Sequence, residues 1–141
     1  MGLFDLTKKK DAKNISQDLL DKNKVSIWID DVLKQDISED IKGICFNLYD
    51  DGEDKWSMEL VGTRDFDIDD SDWACEEITN FGTRTNPFVW HKAAPWDKVL
   101  EEMILVLKEY LENGKYAKIL KSQSGIGVGF TDGELEILYS K

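Results

Sequence analysis

Residues 43–61, GICFNLYDDGEDKWSMELV, decide the fold. Ile44, Phe46 and Leu48 point to one side of an extended chain and Cys45, Asn47 and Tyr49 to the other, because side chains along a strand alternate. Trp56, Met58 and Leu60 alternate in the same way with Ser57, Glu59 and Val61. Asp50-Asp51-Gly52 supplies turn chemistry between the two runs, so the spacing predicts an antiparallel hairpin with one strongly apolar face.

A second hairpin is expected near the C-terminus. Ile126, Val128 and Phe130 alternate with glycine, Asp132-Gly133 is a two-residue turn signature, and Leu135, Ile137 and Tyr139 alternate on the return. With the two turn residues unpaired, Phe130 faces Leu135, Val128 faces Ile137 and Ile126 faces Tyr139. All six side chains then share one face.

Helical periodicity flanks these strands. The stretch from Ser16 to Leu33 reads as mainly helical, since Val25, Trp28, Ile29 and Val32 recur at i, i+3, i+4 and i+7. Asn23 interrupts the stripe that starts at Leu19, which allows two short helices, and the alternation Val25-Ile27-Ile29 keeps a strand reading open. From Asp97 to about Asn113 the spacing of Leu100, Met103, Ile104, Leu107, Tyr110 and Leu111 predicts a long helix, with Gly114 placed for a left-handed terminal residue. A shorter helix is expected to begin within Lys115–Leu120. Trp73–Ile78 fits a strand or a short helix equally. Residues 79–95 read as an ordered loop anchored by Phe81, Phe88, Val89 and Trp90, because Gly82, Asn86-Pro87 and Ala94-Pro95 break any long periodicity. The expectation is one α+β domain over residues 1–141, an antiparallel or mixed sheet with two hairpins packed against helices, preceded by an arm at about 1–14.

Composition narrows the function classes. With 141 residues the chain can bury a core without metals or disulfides, and 41% hydrophobic with 33% charged residues does not match the signature of disorder. A formal charge of -11, from 29 Asp plus Glu against 18 Lys plus Arg, repels a phosphate backbone and disfavours nucleic-acid binding. The same field attracts a basic protein, most strongly at low ionic strength. Cys45 and Cys75 are far apart in sequence and His91 is the single histidine, so a zinc ligand set is not expected and both thiols read as packing residues. No secretory signal and no membrane-length apolar run is apparent, which makes the cytoplasm the expected location. No catalytic residue, metal or cofactor is expected.

Two segments are candidate binding sites. The acidic run Asp65-Phe66-Asp67-Ile68-Asp69-Asp70-Ser71-Asp72 precedes Trp73 and Glu76-Glu77. Counted from Asp65 it resembles the oxygen spacing of a calcium loop, but Asp70 stands where the sharp turn requires Gly. The more general reading is an ionic surface in which Asp65, Asp67, Asp69, Asp70 and Asp72 face Arg or Lys of a partner while Phe66 or Trp73 supplies an apolar anchor. The second candidate is the loop from Gly82 through His91, where Arg84 and His91 would make oriented hydrogen bonds beside Phe88 and Trp90; fastening a long loop is its simpler role. Glu76-Glu77 and Glu101-Glu102 contain acids enough for a hydrolase, yet adjacent helical residues do not face one point. Gly125-Ile126-Gly127-Val128-Gly129 lacks the Walker lysine and the dinucleotide fingerprint, and its alternation suits a strand.

Trp73-Ala74-Cys75-Glu76, the glycine alternation at 125–129 and Asp132-Gly133-Glu134-Leu135-Glu136-Ile137 together resemble small bacterial immunity proteins of polymorphic or contact-dependent toxin systems. The resemblance spans about residues 43–139. It implies a cytoplasmic, non-enzymatic protein that neutralises a toxin by binding at or beside its active site, and hence a basic protein toxin as the partner. A housekeeping interaction or structural protein, and a small hydrolase with an acidic cleft, are the alternatives.

Overall fold

A computed structural model describes residues 20–141; the expected arm at 1–14 and the start of the first expected helix lie outside the described residues. The fold is α+β. Strand β1 (Gly43–Gly52) pairs antiparallel with β2 (Lys55–Thr63), so the deciding stretch forms the expected hairpin. Its turn falls later than Asp50-Asp51-Gly52. Gly52 pairs Lys55, and Glu53 (φ 55) and Asp54 (φ 63) make the reversal. Left-handed backbone at both central residues matches the right-handed twist of the strands. The register shift between Asp50 and Gly52, with Gly52 at φ 83, moves the reversal two residues on.

The described residues form a six-stranded mixed sheet in the order β3-β2-β1-β5-β6, with β4 also pairing β2. β3 (Glu77–Gly82) and β4 (Phe88–His91) follow one another along the same edge of β2, β3 beside its end and β4 beside its start. The reading of 79–95 as loop is therefore corrected: two short edge strands occupy 79–82 and 88–91 of it, and the Gly and Pro punctuation marks their break at 83–87. Thr83 spans that break. Its backbone N–H donates to Leu60 O at 3.1 Å and its Oγ1 accepts from Leu60 N–H at 2.8 Å, so the buried edge of β2 stays hydrogen-bonded where no strand lies beside it.

β5 (Gly125–Phe130) lies parallel to β1, after the chain has crossed the sheet in α2 (Trp96–Asn113) and α3 (Ala117–Lys121). Only such a crossover returns a chain for parallel pairing. The helix α1 (Lys22–Val32) is one continuous element, not two and not a strand; Asp21 caps it by accepting from Asn23 N–H at 2.8 Å. It buries Val25, Trp28, Ile29 and Val32, as the spacing requires. α2 buries Val99, Met103, Leu107, Tyr110 and Leu111, and both helices share a core with Ile44, Phe46, Leu48, Met58, Leu60, Ile126 and Val128 on one sheet face. Tyr110 Oη donates to Asp30 at 2.6 Å and locks α2 to α1. Gly114 is not left-handed (φ -68, ψ 153), contrary to expectation. A Cβ there would come within 2.6 Å of the Tyr110 ring, so glycine is needed for space and not for handedness.

The second hairpin also departs from its expected register. β6 (Glu136–Ser140) pairs Ile126 with Tyr139, as expected, but Val128 with Glu136 and Gly127 with Ile137. The irregularity between Ile126 and Gly127 reverses the alternation within β6. Leu138 and Tyr139 accordingly join the main core, whereas Leu135 and Ile137 cross to the opposite sheet face. Trp73–Ile78 is a short helix and then a strand: a 3-10 turn over Ser71–Cys75 leads directly into β3.

Candidate functional site

The sheet face away from the helices carries the candidate site. Cys45 and Val61 form a small second cluster there with Trp73, flanked by Phe66, Ala74, Leu135 and Ile137. Glycine makes this possible. A Cβ on Gly43 would approach Trp73 Cζ3 to 2.7 Å, one on Gly127 would approach Trp73 Cζ2 to 3.1 Å, and one on Gly125 would overlap the Phe66 ring. The glycine alternation is thus a floor on which two aromatic rings lie, a packing role for the segment that resembles a phosphate loop.

Over this floor the chain from 64 to 76 makes a closed loop. Arg64 N–H donates to Glu76 O at 2.9 Å across its base, and Thr63 Oγ1 donates to Asp65 O at 2.8 Å. Phe66 and Trp73 meet edge-on with ring centroids 4.9 Å apart. Trp73 is 2% exposed, which corrects its assignment as a partner's apolar anchor; Phe66 is half-buried, and both rings hold the loop to its own sheet. Trp73 Nε1 is buried without a hydrogen-bond partner among the described residues, a cost offset by burial of the large ring.

The carboxylates have the opposite disposition. Asp65, Asp67, Asp69, Asp70 and Asp72 are all exposed, and among the described residues no ion pair engages any of them. Three shape the loop locally: Asp65 accepts from Phe66 N–H, Asp67 from Asp69 N–H at 2.9 Å, and Asp70 caps the 3-10 turn by accepting from Asp72 N–H at 3.0 Å. Ile68, passed over in the sequence because it stands alone among acids, is 58% exposed at the same loop. Among the described residues no group of acids, His or Cys converges as a metal site.

Beside the loop lies an open groove of about 680 Å³, bordered by Asp72, Cys75, Asn47, Tyr49, Glu77, Arg84 and the 129–135 turn. A polar chain crosses it. Tyr49 Oη donates to Glu59 at 2.7 Å, and Arg84 bridges Glu59 at 3.4 Å and Glu77 at 2.7 Å. Burial, reinforced by the bond to Glu59, pushes the Tyr49 hydroxyl up to about 12. The Glu77 contact raises the Arg84 guanidinium above its ordinary range, with Glu59 adding to it. The Cys45 thiol donates to Asn47 Oδ1 at 3.1 Å and is pushed up to about 12, first by burial and then by Cys75 and Glu77. These groups join β1, β2 and β3 to the 83–87 break, and Glu59 and Glu77 share one guanidinium instead of facing each other across a substrate gap.

The second sequence candidate separates into parts. Arg84 belongs to the groove. Trp90 is a core residue, and Phe88 is half-buried between Trp28 at 5.8 Å and Trp90 at 5.7 Å. His91 is half-buried at the end of β4, paired with Lys55 of β2. The structure therefore does not assemble Arg84, Phe88, Trp90 and His91 into one constellation. Two features escaped the sequence reading: the Tyr49–Glu59–Arg84–Glu77 chain, whose members come from four places in the fold, and Trp96, which begins α2 and is 58% exposed.

The chain matches no protein-family model, no curated protein and no solved structure. No helix among the described residues is long and apolar enough to cross a membrane.

Proposed function

We propose that this chain is a non-enzymatic binding module that receives a basic protein on its 64–76 loop, and that the partner is a toxin it neutralises by covering the toxin's working surface. One observation carries the reading: five aspartates stand exposed and unengaged by any described cation, on a loop pinned from beneath by Trp73 and Phe66. A pinned loop loses little conformational freedom on docking, which leaves more of the interaction energy as affinity. Ile68 supplies the apolar contact within the charged rim. The net charge of -11 steers the encounter.

The test uses the full chain and the product of the reading frame beside its gene. A one-to-one complex is expected, and co-expression should protect cells from that product. Replacing Asp67, Asp69, Asp70 and Asp72 together by Asn should slow association by about tenfold or more at low salt while the fold persists. A complex whose association rate ignores both these substitutions and salt would overturn the assignment.

A further inference from the structure

The aromatic at the start of α2 does something the fold does not require. Trp96 meets Phe130 edge-on with centroids 6.0 Å apart, and Phe130 meets Trp56 in the same way at 5.8 Å, so a file of rings leads from the core to the surface. Trp56 is buried, whereas Trp96 leaves 58% of its surface in solvent. A leucine would cover Phe130 as well without exposing an indole. Around that indole is a pocket of about 230 Å³ lined by Asp50, Phe130, Asp132 and Gly133, with no cation among the lining residues. Asp50 and Asp132 are exposed, at the ends of the two hairpins. The positive end of α2, which would oppose a bound cation, has Asp97 in its first turn.

We propose that this pocket receives one arginine side chain of the partner, its guanidinium against the Trp96 ring and hydrogen-bonded to Asp50 or Asp132. An indole face attracts a cation through its quadrupole, and a planar guanidinium can stack there while its edge pairs with a carboxylate. The location fits the occupant. Phe130 and Gly133, at the end of β5 and just after it, line both this pocket and the groove beside the acidic loop. The inference rests on the binding-module reading and names the residue that anchors the partner.

The test first dispenses with the partner. The full chain, isotope-labelled, is titrated with the peptide acetyl-Gly-Arg-Gly-amide while the Trp96 indole N–H resonance is followed. The expected result is a saturable shift at millimolar concentrations, absent with the neutral isostere citrulline and lost in the Asp50→Asn/Asp132→Asn variant. No response to arginine, an equal response to citrulline, or a Trp96 shift driven by protein concentration alone, which would mean that a second copy covers the ring, overturns the proposal. Trp96→Leu, which retains apolar contact with Phe130, should weaken the complex with the neighbouring gene's product about tenfold or more. If that complex depends on the aspartates of the 64–76 loop but ignores Trp96→Leu, the arginine pocket is wrong and the module reading stands. If it ignores both, the module reading fails as well.

Discussion

The Phe66 ring occupies the space that a side chain on Gly125 would fill. This one relationship couples the acidic loop to the strand that lies parallel to β1, since Phe66 also packs edge-on against Trp73, and Trp73 covers Gly43 and Gly127. Position 125 thereby sets how closely the loop sits on the sheet.

Gly125→Ala is expected to destabilise the fold by about 1–3 kcal/mol, the usual cost of overpacking a filled site. Because Phe66 is half-buried, the ring can yield outward, so the loss should be partly recovered in Gly125→Ala/Phe66→Ala. Urea midpoints of the two single variants and the double variant form the cycle that measures this coupling. Additive losses would show that the ring and the glycine do not act on each other.

The loop's carboxylates are expected to be a stability cost in the free chain. Five exposed aspartates in eight positions repel one another, and that repulsion is screened by salt. Thermal unfolding should therefore shift upward as salt is added, and the shift should shrink in the Asp67→Asn/Asp69→Asn variant. Asp70 is the exception: Asp70→Ala removes the cap on the 3-10 turn and should cost about 0.5–1 kcal/mol, whereas Asn keeps the acceptor.

Alkaline pH should unfold the protein through groups held neutral on the second sheet face. The Cys45 thiol, ordinarily near 9.0, and the Tyr49 hydroxyl, ordinarily near 10.0, are each raised to about 12, the first chiefly by burial and the second by burial and its bond to Glu59. A raised acid contributes stability that is complete below its unfolded value and lost as pH climbs through its folded value. Stability should thus be flat below about pH 9 and fall toward pH 12. Urea midpoints against pH check the slope, and Cys45→Ala with Tyr49→Phe should reduce it. The same burial predicts two thiol populations at neutral pH: exposed Cys75 reacts promptly with a disulfide reagent, and Cys45 only on unfolding.

The central hairpin was legible because period-two alternation is strict in 43–61, and α1 and α2 because their apolar stripes are long, whereas β3 and β4 are too short and too interrupted by Gly82 and Asn86-Pro87 to show a period. What was not legible depended on local irregularity or on convergence. One irregularity between Ile126 and Gly127 moved Leu135 and Ile137 to the other face, and no alternation pattern can announce it in advance. The acidic run was visible as charge, but the inward turn of Trp73 depends on Gly43 and Gly127, both far from it in sequence. Glu59, Glu77 and Arg84 are each unremarkable in sequence and become a unit only through β2–β3 pairing.

Thr83 gives the sharpest test of how the interrupted edge of β2 is kept intact. It is buried, and its Oγ1 supplies the acceptor that a neighbouring strand would otherwise present to Leu60 N–H. Thr83→Val preserves shape and removes only that oxygen, so a buried donor is left unsatisfied at a cost of about 1–3 kcal/mol. Thr83→Ser retains the oxygen and loses one methyl, which should cost about 1 kcal/mol or less. Hydrogen exchange separates the local effect from the global one: in Thr83→Val the Leu60 amide should lose more protection than amides in α2. Equal losses at both places would mean that the hydroxyl contributes only to general packing and that the gap between β3 and β4 is closed by the Thr83 backbone alone.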